Sequence, residues 1–239
     1  MELAILFAVL EIIQSRPVFH PDLLPRPSAV VMRFIDLLKD GTLTKAIGWS
    51  LLRISIGYSL ATLLGIPLGI IIGRYWFIRE SLGTLENFIR PIPAMAWIPI
   101  AILWFGIGIK SSSFLIFYGA FHPIVINSAI GVSTVDRLFV DSIRVSGGKS
   151  WDVFREAIIP AATPAIMTGM RNGLATAWYV MVTAEMFGAR TGLGYLITAG
   201  QSTFRVDTVM VGIIIIGLVG FGLDRGFRKI EARALRWRI

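Results

Sequence analysis

Residues 141–160 read DSIRVSGGKSWDVFREAIIP, a polar and charge-dense segment that lies between two long apolar stretches. The adjacent pair Gly147-Gly148 favours a turn, so we predict two short helical pieces hinged there. The helical spacing of three and then four residues predicts an apolar face on the second piece: Trp151, Phe154 and Ile158. Because proline cannot continue a helix interior without cost, Pro160 is expected to close the segment.

The composition places the chain in the membrane class. Its 239 residues are 55% hydrophobic and only 16% charged, whereas soluble domains are about 45–50% apolar and about 25% charged. The net charge is +8. In a polytopic membrane protein this excess indicates basic cytoplasmic loops rather than nucleic-acid binding. The absence of cysteine excludes disulfides and thiolate metal sites.

Apolar stretches recur along the chain, most of them near the ~20 residues that a membrane-spanning helix needs. We therefore predict an all-α membrane protein with about six transmembrane helices in a single domain, residues 1–239, the first span being short. The expected spans are 2–13, 46–73, 91–109, 113–134, 162–187 and 206–223, the third of them broken by prolines. A charged loop is expected over residues 74–90.

Two further patterns concern the first half of the chain. Residues 16–45 are predicted to form an outer surface segment, in which Ser28 caps an amphipathic stretch that ends at Leu38. In the second span, small residues recur every fourth position: Gly57, Ala61, Gly65, Gly69 and Gly73. This spacing puts them on one helix face, where another helix can approach closely.

The distribution of Lys and Arg predicts the orientation. Thirteen lie in the loops 74–90, 132–160 and 224–239, whereas eight lie in the segments that alternate with those loops. Because cytoplasmic loops carry more Lys and Arg, we expect residues 141–160 and the basic tail 224–239 in the cytoplasm. With six spans, both termini are then cytoplasmic.

No catalytic or nucleotide-binding motif is evident. Gly148-Lys149-Ser150 is similar to the end of a phosphate-binding loop, but that motif needs a glycine five residues before Gly148, where Ile143 stands. The two histidines, His20 and His122, are far apart in sequence. We therefore expect no enzyme activity, no metal site and no cofactor in this chain.

The spacing of residues 141–160 resembles the signature loop of ABC-importer permeases, which reads Glu-Ala-Ala, three residues, Gly, nine residues, Ile-x-Leu-Pro. Gly147 matches the glycine and Pro160 matches the proline, with Ile159 in place of Leu. Ala157 replaces the Ile. The opening triplet, residues 141–143, departs from the pattern because Asp-Ser-Ile stands for Glu-Ala-Ala.

Other segments are similar to one branch of these permeases, that for nitrate, sulfonate, taurine and bicarbonate, with relatives that carry vitamins. They are residues 24–28, 50–53, 90–93, 97–100, 103–106, 184–185 and 191–196. This resemblance implies the transmembrane domain of a type I importer in the bacterial inner membrane. A dimer of such chains would work with two cytoplasmic ATPases, which bind ATP and Mg, and with an external binding protein, surrounded by membrane lipid.

The same resemblance implies that residues 141–160 form the coupling helix that contacts the ATPase. Five residues are expected to carry this contact: Asp141, Gly147, Trp151, Phe154 and Pro160. Trp151 and Phe154 can fill an apolar pocket of the partner, with charged residues around them.

Polar and aromatic residues within the spans are candidates for the translocation path: Tyr118, His122, Asn127, Arg171, Tyr179, Thr183 and Glu185. Hydrogen bonding between helices explains most of them equally well. Arg171 either attracts an oxyanion or reaches the inner headgroups, and Arg53 has the same two alternatives with the outer headgroups. Glu185 either has a structural or gating role in the path or lies at the outer interface beside Arg190.

Three alternatives remain open at this point. An importer for another solute, such as a vitamin precursor, a phosphonate or an amino acid, would have a similar sequence. An ion-coupled secondary transporter would use Glu185 as proton carrier, but such folds usually contain internal repeats, which are not visible here. A membrane-embedded enzyme would need a catalytic group that the sequence lacks.

Overall fold

The computed structural model describes residues 25–89 and 91–236, and every regular element within these ranges is helical. The helices are α1 Pro27–Lys39, α2 Thr42–Arg74, α3 Trp76–Ile89, α4 Ile98–Phe105, α5 Ile109–Ser133, α6 Arg137–Val145, α7 Ile159–Gly188, α8 Leu193–Ser202 and α9 Val206–Ala234. A 3₁₀ turn, Ala94–Trp97, precedes α4. A helical turn, Ser150–Asp152, and a π-helix, Val153–Ile158, lead into α7.

Three helices of the described part, α2, α5 and α9, are long and apolar enough to cross a membrane, and α7 has 30 residues. The predicted all-α membrane fold is confirmed. The proline-broken span expected over 91–109 is shorter than predicted, because the 3₁₀ turn and α4 together cover only Ala94–Phe105. The short span expected over 2–13 lies outside the described residues.

The core forms where α5 packs between α2 and α7. Buried apolar side chains from all three helices meet there: Ile54, Ala61, Ile116, Ala120, Ile124, Ala177 and Met181. The glycines of α2 allow this packing. A Cβ on Gly57 would lie 2.6 Å from the carbonyl oxygen of Ser113, and one on Gly69 would lie 2.5 Å from that of Val125. The predicted close approach along the small-residue face is confirmed.

α1 packs against α9 and the beginning of α2. It begins at Pro27 with Arg26 as its N-cap, so the prediction that Ser28 caps this helix is wrong. Proline suits the first helical position because its missing N–H has no intrahelical role there. Between α1 and α2, the backbone N–H of Thr42 donates to an Asp40 oxygen at 2.8 Å. This hydrogen bond lowers the pKa of the Asp40 carboxyl.

The segments predicted as a charged loop and as a basic tail are largely helical. The charged loop predicted over residues 74–90 contains α3, and α9 continues to Ala234, so most of the expected basic tail 224–239 extends that helix. In both segments charged residues are interspersed with apolar ones. This pattern is compatible with a helix that has one polar face.

Residues 141–160 form two helical pieces around a glycine turn, as predicted. Gly147 has φ +84°, a conformation that favours glycine, and the N–H of Gly148 donates to the Ile143 carbonyl at 2.9 Å. The prediction that Pro160 closes the segment is wrong, because the helix runs through it into α7. The wider π-helix directly before Pro160 relieves the clash that its ring would make with the carbonyl of Glu156.

Candidate functional site

Residues 137–158, here called the 137–158 segment, are fixed to the ends of α5 and α7. Val153 and Ile158 are buried in a cluster that also contains Val132 of α5 and Ile166 of α7. Ile143, from the first helical piece, packs against the same cluster. These apolar contacts therefore hold the segment against α5 and α7.

The other side of the 137–158 segment exposes Trp151, whose neighbour Phe154 is half-buried and packs against the same cluster. Trp151 is 65% exposed, and its ring stacks on that of Phe154 with 5.5 Å between centroids and 29° between planes. Asp141 and Arg144, 3.8 Å apart, form an exposed ion pair on the first helical piece. An exposed tryptophan with charged residues nearby is typical of a surface that binds another protein.

At the opposite end of α7, Glu185 lies in a buried polar cluster. Its Oε1 is 2.7 Å from Nη1 of Arg53, and the two side chains are 0% and 2% exposed. The Ser50 hydroxyl lies 2.9 and 2.8 Å from the two carboxylate oxygens, and the backbone N–H of Gly194 donates to Oε2 at 3.0 Å. Such a pair is tolerated in an apolar interior because each charge has several partners.

The same cluster holds the turn between α7 and α8. Arg53 donates to the carbonyl of Thr191 at 2.8 Å and to its hydroxyl at 2.7 Å, and the N–H of Leu193 donates to the Ser50 hydroxyl at 2.9 Å. Gly192 has φ +112°, and a Cβ there would overlap the Glu185 carboxylate. The cluster thus joins α2, α7 and α8 at one point.

This arrangement corrects two expectations. Glu185 does not lie beside Arg190 at an interface, and Arg53 does not extend to the headgroups, because each is the other's partner in the interior. The sequence contained a signal for the pair, since an acid in one span and a base in another are both costly alone. It contained none for Ser50 and Thr191, whose roles depend on how the helices are rotated.

The other candidates for the translocation path are spread along α5 and α7. The Tyr118 hydroxyl donates to the carbonyl of Ile89 at 3.3 Å, and its ring packs edge-on against His122 at 5.0 Å. The side-chain amide of Asn127 donates to the Pro123 carbonyl of its own helix at 2.8 Å. These three residues therefore have local contacts within this chain.

Arg171 and Tyr179, both on α7, line a cavity of about 490 Å³ between α7 and α9. Arg171 forms an ion pair with Asp224 of α9 at 3.0 Å. Tyr179 and Thr183 line a small cavity of about 90 Å³ between α7 and the 3₁₀ turn. A single copy of the chain therefore does not bring the seven predicted residues together into one site.

These features define a class: a polytopic helical membrane protein with an exposed tryptophan at one end of its bundle, on a segment that packs against the membrane helices. Residues 65–236 match the family described as binding-protein-dependent transport system inner membrane component. The chain belongs to this family. It is the permease component of an ABC importer in the inner membrane, and ATP binding and hydrolysis belong to a separate subunit.

Relatives align over most of the chain. It is 41% identical to a putative ABC transporter permease protein of Methanocaldococcus jannaschii, over 92% of this chain and 84% of that protein. It is 31% identical to the taurine transport system permease protein of Escherichia coli, over 98% and 87%. It is 34% identical to the nitrate import permease protein of a Synechocystis strain, over 77% and 66%.

Solved structures share the fold. An amino acid ABC transporter crystallised with histidines matches 86% of this chain and 98% of its own, with a TM-score of 0.65 and 17% identity. An inward-facing methionine ABC transporter matches 79% and 96%, with a TM-score of 0.64 and 17% identity. The predicted type I importer fold is confirmed.

Proposed function

We propose that this chain forms the translocation path for a small anionic solute, of the sulfonate, taurine, nitrate or bicarbonate type, which an external binding protein delivers. One observation carries this choice of substrate class: relatives named for taurine and for nitrate align over 98% and 77% of the chain. In this arrangement two copies of the chain form a homodimer, joined by two cytoplasmic ATPase subunits.

The 137–158 segment is the contact with the ATPase. The exposed ring of Trp151, which stacks on the half-buried Phe154, enters an apolar pocket of that subunit, with Asp141 at its rim. Gly147 sets the angle between the two helical pieces through its positive φ. Pro160 lies where the segment passes into α7 and transmits movement to the membrane helices. Apolar support beneath the segment favours this role, because a rigid contact transmits movement better than a mobile loop.

The translocation path lies between the two copies. Tyr179 is 72% exposed in the single chain, and with Thr183 it faces the surface that a second copy would cover. Tyr118, His122, Asn127 and Arg171 complete the candidate lining. Glu185 takes part as a positioning residue, because its carboxylate is fully buried and occupied by Arg53, Ser50 and Gly194.

Uptake by the reconstituted transporter tests the substrate class. Proteoliposomes that contain the chain with its ATPase and binding protein are supplied with ATP and with labelled taurine, an alkanesulfonate, nitrate or bicarbonate. We expect ATP-dependent accumulation of at least one of these anions. Uptake of a phosphonate, methionine or a vitamin precursor with none of the four would refute the substrate class. Uptake that collapses with an uncoupler at constant ATP would refute the transport mechanism.

Replacement of Trp151 tests the ATPase contact. Truncating a central aromatic residue of an interface costs about 2 kcal/mol or more, so Trp151→Ala should weaken ATPase binding by about 30-fold or more. Trp76→Ala is the matched control, because Trp76 of α3 is also 65% exposed. Co-purification of the ATPase and ATP-driven uptake are measured for both variants. Equal losses in the two variants, or none in either, would contradict the assignment.

A further inference from the structure

A basic cavity lies at the end of the bundle opposite the 137–158 segment. Its volume is about 510 Å³, and α1, the beginning of α2 and α8 form its walls. Four cationic side chains line it, Arg33, Lys45, Arg190 and Arg205, against one carboxylate, Asp40. The size is within the range of ligand sites, about 300–1,000 Å³, and the charge selects an anion.

Two of these cations already have neutral or charged partners. Arg33 donates through Nε to the Thr208 hydroxyl at 2.9 Å, and Arg205 lies 3.3 Å from the carboxylate of Asp207. Within residues 25–89 and 91–236, no carboxylate lies within ion-pair distance of the other two, Lys45 and Arg190. The charge of Lys45 acts on Asp40 at longer range and helps to lower the pKa of that carboxyl. These two cations are therefore available to an anionic group that enters the cavity.

The wall of the cavity continues into an apolar surface. Trp49 lines the cavity, and the exposed residues that follow it on α2 recur at three- or four-residue spacing: Leu52, Ile56, Leu60 and Leu63. This spacing forms a single stripe along the helix. Trp49 and Tyr195, which both line the cavity, are exposed. Tryptophan and tyrosine are the residues that concentrate where a membrane meets water.

We propose that this cavity binds the phosphate group of an anionic phospholipid. Lys45 and Arg190 contact the phosphate, and the acyl chains lie along the α2 stripe that begins at Trp49. The adjoining apolar stripe decides in favour of a lipid, because a free anion or an acidic protein loop would use the cations and leave the stripe uncovered. The cavity lies at the beginning of α2 and the 137–158 segment lies near its end, and the 33 residues of this helix extend about 50 Å. The lipid therefore belongs to the leaflet far from the 137–158 segment.

This site is independent of which solute the importer carries. It rests on the arrangement of α1, α2 and α8 in one copy of the chain and on charges that the transport path does not use. Failure of the transport assay therefore leaves the lipid site standing, and failure of the lipid assay leaves the substrate class standing.

Native mass spectrometry of the purified transporter complex tests the proposal. The complex is washed in detergent, loaded with phosphatidylglycerol or phosphatidylcholine, and the retained lipid per copy of the chain is counted. We expect one tightly held phosphatidylglycerol per copy and no retained phosphatidylcholine. Each basic residue near an anionic lipid contributes about fivefold, so the double variant Lys45→Ala/Arg190→Ala should retain the lipid about 25-fold more weakly.

A second pair of exposed cations provides the control. Lys229→Ala/Arg233→Ala removes the same charge from the far end of α9 and should leave the tightly held lipid in place. Addition of inorganic phosphate or taurine should not displace the lipid, because neither covers the apolar stripe. Displacement by either would assign the cavity to a free anion and overturn the proposal.

Two other results would also overturn it. Equal lipid retention in the Lys45→Ala/Arg190→Ala variant would exclude the two cations as ligands. Unchanged lipid retention together with lost stimulation of ATPase activity by the binding protein would assign the cavity to that protein. If the double variant is not monodisperse on size exclusion, the single variants Lys45→Gln and Arg190→Gln are measured in the same way, each with an expected fivefold loss.

Discussion

At the scale of single residues, the buried pair of Arg53 and Glu185 shows how a membrane protein can hold two charges in its interior. Each charge replaces its lost hydration with several protein groups, among them the Ser50 hydroxyl and the Thr191 carbonyl. The cost of burial remains, because Nε of Arg53 has no partner among the described residues. The pair therefore contributes more to the position of the helices than to net stability.

Removal of one partner should be worse than removal of both. Arg53→Met leaves a buried carboxylate without its counter-charge, which destabilises proteins by about 3–5 kcal/mol. Arg53→Met/Glu185→Leu removes both charges and should recover a large part of that loss. The temperature at which the purified permease loses monodispersity is measured for both variants and for Glu185→Leu alone. Additive losses in the double variant would contradict a direct pairing.

At the scale of helices, the contact between α2 and α5 depends on backbone proximity. The neighbours that a Cβ on Gly69 would meet are the backbone oxygen of Val125 and the Cβ of Ser128, each at 2.5 Å. Neither atom can move away by a simple rotation, since both belong to the main chain of α5 or directly adjoin it. The two helices must separate to admit a side chain at this position.

Alanine substitutions at two glycines of α2 test this contact. Gly69→Ala should destabilise the permease by about 1–3 kcal/mol through overpacking. Gly48→Ala is the matched control, because nothing lies within 4 Å of a Cβ at that position, and it should be neutral or stabilising by up to about 1 kcal/mol. Thermal unfolding of both variants is compared with that of the parent. Similar midpoints for the two variants would show that the helices are not in close contact.

At the scale of the whole molecule, the helices place the α1–α2 and α8–α9 connections at one end and the 137–158 segment at the other. Gly73, near the end of α2, lies against Val132, which packs with Val153 of that segment. Arg33 at the other end contacts Thr208 of α9. The excess of Lys and Arg in the loops 74–90, 132–160 and 224–239 predicts that the 137–158 segment is cytoplasmic.

Because the chain contains no cysteine, single introduced cysteines can determine this orientation. Ser146→Cys and Ser202→Cys are matched, since both serines are exposed and each hydroxyl donates to a carbonyl four residues earlier in its helix. A membrane-impermeant maleimide should label Ser202→Cys in intact spheroplasts and Ser146→Cys only after permeabilisation. The reverse pattern would invert the proposed topology.

The sequence predicted the elements better than it predicted their contacts. Hydropathy located α2, α5, α7 and α9, and the glycine spacing of α2 indicated its packing face. The charged residues of α3 resemble those of a surface turn, so the sequence alone does not distinguish this helix from a loop. The partner of Glu185 was missed because a one-dimensional pattern contains no information about the rotation of α2 relative to α7. The continuous helix through Pro160 was missed because nothing in the sequence marked the π-helix before it.

The unbroken helix from Ser150 to Gly188 has a mechanical consequence. Ile159 and Glu185 are 26 positions apart on α7, which corresponds to about 39 Å at a rise of 1.5 Å per residue. A tilt of α7 by about 5° about Ile159 displaces Glu185 by about 3 Å. Glu185 accepts hydrogen bonds from Arg53 and Gly194, so α2 and the turn between α7 and α8 must move with it.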